Sequence, residues 1–169
     1  MDQSYRPVRI ENLLRRSPQA WANLRGNQLY PGLFGIVRFY AHSRGTVVVT
    51  EVSGLPDTQH VCSSPVFGFH IHGGSDCRGN SDDPFADVGM HYNPLGCPHP
   101  YHSGDLPPLF GANGYAFSAC LTDRFTVDET IGKTVIIHDS PDDFRTQPSG
   151  NSGSKIACGE IIGYFRPRR

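Results

Sequence analysis

Much of what this sequence lacks narrows where and on what such a chain works. No apolar run approaches the ~18 residues that a membrane-spanning helix needs. The opening residues, Met1-Asp2-Gln3-Ser4-Tyr5, carry no apolar core of a secretory leader. Taken as written, the chain is expected to be cytoplasmic, with no membrane partner; a chain begun after a cleaved leader would be secreted and would look the same. A surplus of one charge is missing too. Lys and Arg number 15 against 16 Asp and Glu, for a net charge of −1, so no basic field points to a nucleic-acid partner. The basic clusters, Arg15-Arg16 and residues 166–169, read as solvated ends. Five cysteines (Cys62, Cys77, Cys97, Cys120, Cys158) contain no C-x-x-C pair, which argues against a zinc ribbon or a thioredoxin motif. Their odd count leaves at least one unpaired within the chain. No amphipathic helical pattern of ten residues appears after residue 20.

What remains is a chain of 169 residues, long enough for one domain with a sizeable core. Residues 1–18 are polar and basic, with a short helical turn around Ile10 to Leu14, and read as an N-terminal extension. Residues 19–165 form the domain and 166–169 a basic tail. Within the domain, strand-like segments at 20–25, 33–41, 46–52, 66–72, 116–122, 134–138 and 156–164 are separated by turn signals such as Gly26-Asn27 and Gly54-Leu55-Pro56. Short strands at this spacing predict an all-β antiparallel sandwich or Greek-key barrel. Two long segments, 73–113 and 139–155, interrupt the pattern. Both are dense in His, Asp, Gly and Pro, and loops of such length inside a compact domain usually serve a function.

The chemistry begins at Phe69-His70-Ile71-His72. Side chains alternate faces along a strand, so His70 and His72 project from the same side. Two imidazoles so placed chelate a borderline transition metal such as copper or zinc. Alone, the pattern is a weak signal, since strands carry paired surface histidines by chance. The first long loop adds His91, His99, His102 and Asp105, and exposed loops seldom concentrate so many donors. A set of three nitrogens and one carboxylate suits tetrahedral zinc. A strand ending in Val135-Ile136-Ile137-His138-Asp139 offers a further imidazole. A cupin also uses H-x-H on a strand but needs a glutamate soon after it, and Gly73-Gly74-Ser75-Asp76-Cys77 has none.

The motifs in order are Gly68-Phe69-His70-Ile71-His72, Gly89-Met90-His91-Tyr92-Asn93-Pro94 and His102-Ser103-Gly104-Asp105-Leu106-Pro107. Val135-Ile136-Ile137-His138-Asp139 follows, then the run from Gly150-Asn151-Ser152-Gly153-Ser154-Lys155 to Ile156-Ala157-Cys158-Gly159. Together they resemble the copper–zinc superoxide dismutase family over about residues 20 to 163. The resemblance implies an eight-stranded antiparallel Greek-key barrel with two functional loops. It places copper on His70, His72, His91 and His138, and zinc on His91, His99, His102 and Asp105, with His91 bridging the two ions. It implies that Asp142 accepts hydrogen bonds from one copper ligand and one zinc ligand, and that Cys77 and Cys158 form a disulfide. Asp143 reads as a solvated neighbour. The activity implied is dismutation of the superoxide anion, with His91 and Lys155 as its catalytic residues. A homodimer is one assembly that the family allows, a monomer another.

The sequence departs from that family where an arginine is expected over the copper channel. Lys155 stands there, keeping the charge but lacking the planar fork that grips an anion with two parallel hydrogen bonds. Electrostatic steering is then expected to persist while docking loosens, so that activity falls without vanishing. Thr146-Gln147-Pro148-Ser149 replaces residues that are often charged, and Arg145 reads as exposed. Only Pro100-Tyr101 separates His99 from His102, a spacing expected to strain a zinc site. Cys62, Cys97 and Cys120 have no counterpart. The alternative function is a weakly active or non-catalytic metal-binding domain of the same fold.

Overall fold

The computed structural model describes residues 10–57 and 65–164. Cys62 and the tail at 166–169 lie outside the described residues. Among the described residues, a helical turn, α1 (Ile10–Leu14), precedes nine strand segments: β1 (Ala20–Gly26), β2 (Phe34–His42), β3 (Gly45–Ser53), β4 (Val66–Phe67), β5 (Phe69–His72), β6 (Leu109–Phe110), β7 (Tyr115–Thr122), β8 (Thr134–His138) and β9 (Lys155–Gly163). A second helical turn, α2 (Val127–Thr130), lies between β7 and β8. β4 and β5 are one run interrupted at Gly68, so the described residues hold eight strands when the run is counted once. That is the expected all-β Greek-key architecture.

Seven strands form one antiparallel sheet in the order β5-β8-β9-β1-β2-β3-β7. β1 to β3 make a meander with unbroken register, from Ala20↔Phe39 to Phe34↔Ser53. The chain then crosses to the far edge for β5 and returns to the opposite edge for β7. β4 and β6 join those two edges through Val66↔Phe110 and Phe67↔Leu109, curling the sheet upon itself. The segment 73–113 is less bare than expected: it contains β6 and a 3-10 turn at Ala86–Val88. A strand of two residues is too short to show alternation, which is why the pattern hides it.

Alternation decides what fills the interior. Leu24, Val37, Phe39, Val48, Phe69, Ile71, Leu109, Val135, Ile137 and Ile161 meet in one buried cluster. Truncating the fully buried Phe39 to alanine would cost about 3–5 kcal/mol through lost burial and the cavity left behind. Because Phe69, Ile71, Val135 and Ile137 point inward, His70, His72, Ile136 and His138 must point outward from β5 and β8. They are nevertheless buried, because the two long loops cover this outer face. On the far side, Leu13 of α1 packs on Tyr40, Val47 and Val49, sealing an apolar patch of β2 and β3.

Candidate metal centre

β5 pairs with β8 along one edge, and its other edge is completed by the loop rather than by a strand. Ile71 N–H donates to Gly104 O and Tyr92 N–H to Ile71 O, each at 2.8 Å, while Gly73 N–H donates to Met90 O at 2.9 Å. These bonds bring His91 opposite His72 and Asp105 opposite His70 as isolated bridges. Gly104 permits the approach, because a Cβ there would stand 2.2 Å from Ile71 O. The loop donors are therefore set by the same ladder chemistry that builds the sheet.

Two donor groups result. In one, ligand atoms of His70, His72, His91 and His138 lie within 4.8 Å of one another; in the other, those of His91, His99, His102 and Asp105 do. Every metal ligand expected from the sequence is thus gathered, and His91 belongs to both groups. The outer nitrogens fix the tautomers. His72 Nδ1 lies 2.8 Å from Gly89 O and His138 Nδ1 lies 3.3 Å from Gly153 O. A carbonyl only accepts, so those nitrogens carry the proton and Nε2 is left bare. His70 Nε2 lies 2.8 Å from Asp142 Oδ2 and His99 Nε2 lies 2.9 Å from Asp142 Oδ1, which leaves Nδ1 bare on each.

The pair His99 and His102 converges despite the short spacing. A turn in which Tyr101 N–H donates to Pro98 O at 2.8 Å reverses the chain, and the two ring centroids lie 5.5 Å apart. Asp105 sits at the middle of this group. Its carboxylate is 2.7 Å from His91 Nδ1, 3.0 Å from His99 Nδ1 and 3.3 Å from His102 Nδ1. Its Oδ2 also accepts from His102 N–H at 3.0 Å.

The fit to metal ions follows from what is left over. His70 Nδ1, His72 Nε2, His91 Nε2, His99 Nδ1, His102 Nδ1 and His138 Nε2 are buried side-chain nitrogens with no hydrogen-bond partner. Buried polar atoms without partners are costly, and here all six belong to the histidines of the two donor groups. Four imidazoles suit copper, and three imidazoles with one carboxylate suit zinc. Burial pushes the pKa of His70, His72 and His102 below the ordinary value, and holds that of His138 down at about 3. These rings are therefore neutral near pH 7, the form that ligates a cation. Cys97 is a half-buried free thiol that belongs to neither group. Asn93 brackets its backbone, accepting from Cys97 N–H at 3.0 Å and donating to Cys97 O at 2.8 Å.

Asp142 joins the groups from behind. Burial raises its pKa, but hydrogen bonds from His70, Phe144 N–H and His99 outweigh this and hold it at about 2. It is ionised and accepts from both rings, orienting one imidazole of each group. Asp143 beside it is exposed and caps the turn through Arg145 N–H and Thr146 N–H. Gly150, at φ 69°, packs against the shared carboxylate; a Cβ there would stand 2.0 Å from Asp142 Oδ1 and 2.7 Å from His99 Nε2.

Three contributors escaped the sequence reading. Gln147 accepts from His99 N–H at 3.0 Å and donates to His99 O at 2.7 Å, tying the second long loop to the first. Arg124 Nη1 lies 3.0 to 3.3 Å from the carbonyls of Pro100, His102 and Asp105. Asp83 forms an ion pair with Lys155. Nothing in composition or spacing marks them, since each acts on a partner remote in sequence. The Cys77–Cys158 disulfide is formed, spanning a separation of 81 residues. Phe85, Val88 and Ile136 pack around it.

Two buried donor groups that share one imidazole, on a Greek-key barrel, form a site that could hold two metal ions. Comparison with known proteins agrees. The family described as copper/zinc superoxide dismutase (SODC) matches residues 33–161. The chain is 32% identical to "Superoxide dismutase [Cu-Zn]" of Deinococcus radiodurans, over 74% of this chain and 75% of that protein. It is also 32% identical to the protein of the same name from Photobacterium leiognathi, over 75% and 78%. It is 34% identical to "Superoxide dismutase-like protein YojM" of Bacillus subtilis, over 57% and 55%. The chain belongs to the copper/zinc superoxide dismutase family, a family of oxidoreductases that implies copper and zinc as its metals.

Proposed function

We propose that this chain converts superoxide to oxygen and hydrogen peroxide, two superoxide anions and two protons giving one molecule of each. The observation that carries the proposal is His91, a single buried ring that belongs to both donor groups, with Nδ1 beside Asp105 and Nε2 without a hydrogen-bond partner. We assign copper to His70, His72, His91 and His138, and zinc to His91, His99, His102 and Asp105. When bound, copper supplies the one-electron chemistry, while zinc has no redox chemistry and holds the bridging ring and its loop. The residues of the chain then do three things. His91 offers Nε2 as a position that can take up a proton and hand it to the reduced substrate, while its Nδ1 side stays anchored beside Asp105. His72 and His138, each fixed through Nδ1 by a backbone carbonyl, keep Nε2 aimed inward. Lys155, opposite His138 in the β8–β9 register, supplies the positive charge that draws a small anion to this side.

A second reading, a weakly active metal-binding domain, is favoured by one observation: Lys155 already has a carboxylate partner. The deciding experiment combines metal analysis with a dismutation assay on copper- and zinc-loaded protein. Activity should depend on copper and disappear in His138→Ala while zinc is retained. A fully loaded protein without turnover would leave only the second reading.

A further inference from the structure

We infer that Asp83 is a built-in competitor for the anion-binding cation, occupying Lys155 so that an incoming anion must displace its carboxylate. This rests on the dismutase reading for the identity of the anion, but the ion pair and its effect on anion binding can be measured separately.

Asp83 is held in place rather than free to swing. Its backbone O accepts from Asn80 N–H at 2.9 Å and Ala86 N–H at 3.1 Å. Its Oδ1 accepts from Phe85 N–H at 3.1 Å, and its own N–H donates to Asn80 Oδ1 at 3.0 Å. Phe85, two residues on, is buried against Val88, Ile136 and Cys158, so the turn is fastened to the disulfide. Oδ2 is then the oxygen presented to Lys155 Nζ. The side chains of Lys155 and Asp83 are 17% and 40% exposed, enough shielding for the pair to resist full solvation and enough access for an anion to compete.

The surroundings make that competition uneven. Lys155 and Asp83 line an open depression of about 500 Å³ with Asp82, Ser154 and Gly153, whose carbonyl holds His138. Lys155 is the one cation among the lining residues, against two acids. The chain has only two lysines, and the other, Lys133, lies over the ring of Tyr92, 4.4 Å from its centroid. An anion approaching His138 from this side therefore meets a neutralised lysine and a second carboxylate. Clefts of one sign raise on-rates by tenfold or more at low salt, and neutralising the cation forfeits that gain.

The test removes the competitor and reads the lysine and the anion site independently. In metal-free, disulfide-intact protein, amine acylation with peptide mass spectrometry compares Lys155 with Lys133 as internal reference. In copper-loaded protein, azide titration followed by visible absorption measures anion affinity. Asp83→Asn is expected to make Lys155 acylate faster relative to Lys133, to tighten azide binding by about tenfold at low salt, and to make that binding more salt-dependent. Asp83→Ser should behave alike. Asp82→Asn, which removes the same charge one residue away, should do neither to a comparable extent. Unchanged acylation would mean that no pair forms in solution; faster acylation with unchanged azide affinity would mean that the pair does not guard the site. Either overturns the inference. A wild-type protein that binds azide but does not turn over superoxide would sink the dismutase reading alone, and one that takes up no copper would remove both.

Discussion

Replacing Asp142 by asparagine should damage the two metal groups unequally, and the inequality follows from counting hydrogens. As a carboxylate, Asp142 accepts at Oδ1 from Phe144 N–H (2.7 Å) and His99 Nε2 (2.9 Å), and at Oδ2 from His70 Nε2 (2.8 Å). Asparagine keeps one acceptor and gains an NH2. With its oxygen in the Oδ1 position, two of the three bonds survive and the NH2 faces His70. The reverse orientation would lose both Oδ1 bonds, so the first is preferred. His70 Nε2, now facing a donor, must become an acceptor, and its proton moves to Nδ1, the nitrogen that should ligate. The side chain is only 1% exposed, so water cannot repair the mismatch. Loss of such an outer partner typically costs 10–100-fold in metal affinity, about 1.4–2.7 kcal/mol. That loss should fall on the four-histidine group, while the group containing His99 keeps most of its affinity. Asp142→Ala, which removes both acceptors, should weaken the two groups together. Chelator competition with Cu(II) and Zn(II), with Co(II) absorption as a tetrahedral reporter, would resolve the two groups. Equal losses at both in Asp142→Asn, or no loss at either, would refute the tautomer argument.

Other consequences are more direct. Cys158→Ser opens a loop of 81 residues, so chain entropy alone should cost about 4 kcal/mol; a melting temperature lower by about 8–16 °C in the metal-free protein is expected by calorimetry. Gln147→Ala removes both hydrogen bonds that hold the His99 backbone and should cost about 1–3 kcal/mol, seen as weaker Co(II) binding and faster amide exchange around residue 99. The pH dependence has a fixed sign. The folded-state pKa values of His70, His72, His102 and His138 lie below the ordinary value, so the unfolded chain binds more protons as pH falls below about 6.5. The metal-free protein should therefore be fully stable above that pH and lose stability progressively towards pH 3. Asp142, at about 2, adds a loss in the same direction below about pH 4. Urea midpoints that stay constant between pH 7 and pH 4.5 would contradict this.

The strand-borne ligands were legible because strand parity is a rule that sequence obeys locally, and those of the loop because four donors crowd into it. Histidines at 70 and 72 share a face, and the inward Val135 and Ile137 force His138 outward with them. Residues that act on remote backbone were not legible. Gln147 looked like a lost charge until its amide was found clamping His99, and nothing local to Asp83 pointed to Lys155, 72 residues away. The fold shows the same division. Thr46-Val47-Val48-Val49 declares a strand by itself, whereas Leu109–Phe110 becomes one only because Val66–Phe67 arrives beside it. The short link between His99 and His102 looked strained in sequence because spacing alone does not reveal the turn at Pro98 and Tyr101 that brings the two rings within 5.5 Å of each other.

Gly150 touches no ion in this scheme and carries no functional group, yet the shared carboxylate is seated directly against its α-carbon. A single methyl group there would push Asp142 away from both rings at once. The position is thus a silent point of failure: drift that spares all seven donors could still disarm the protein, and an inventory of ligands would not reveal it.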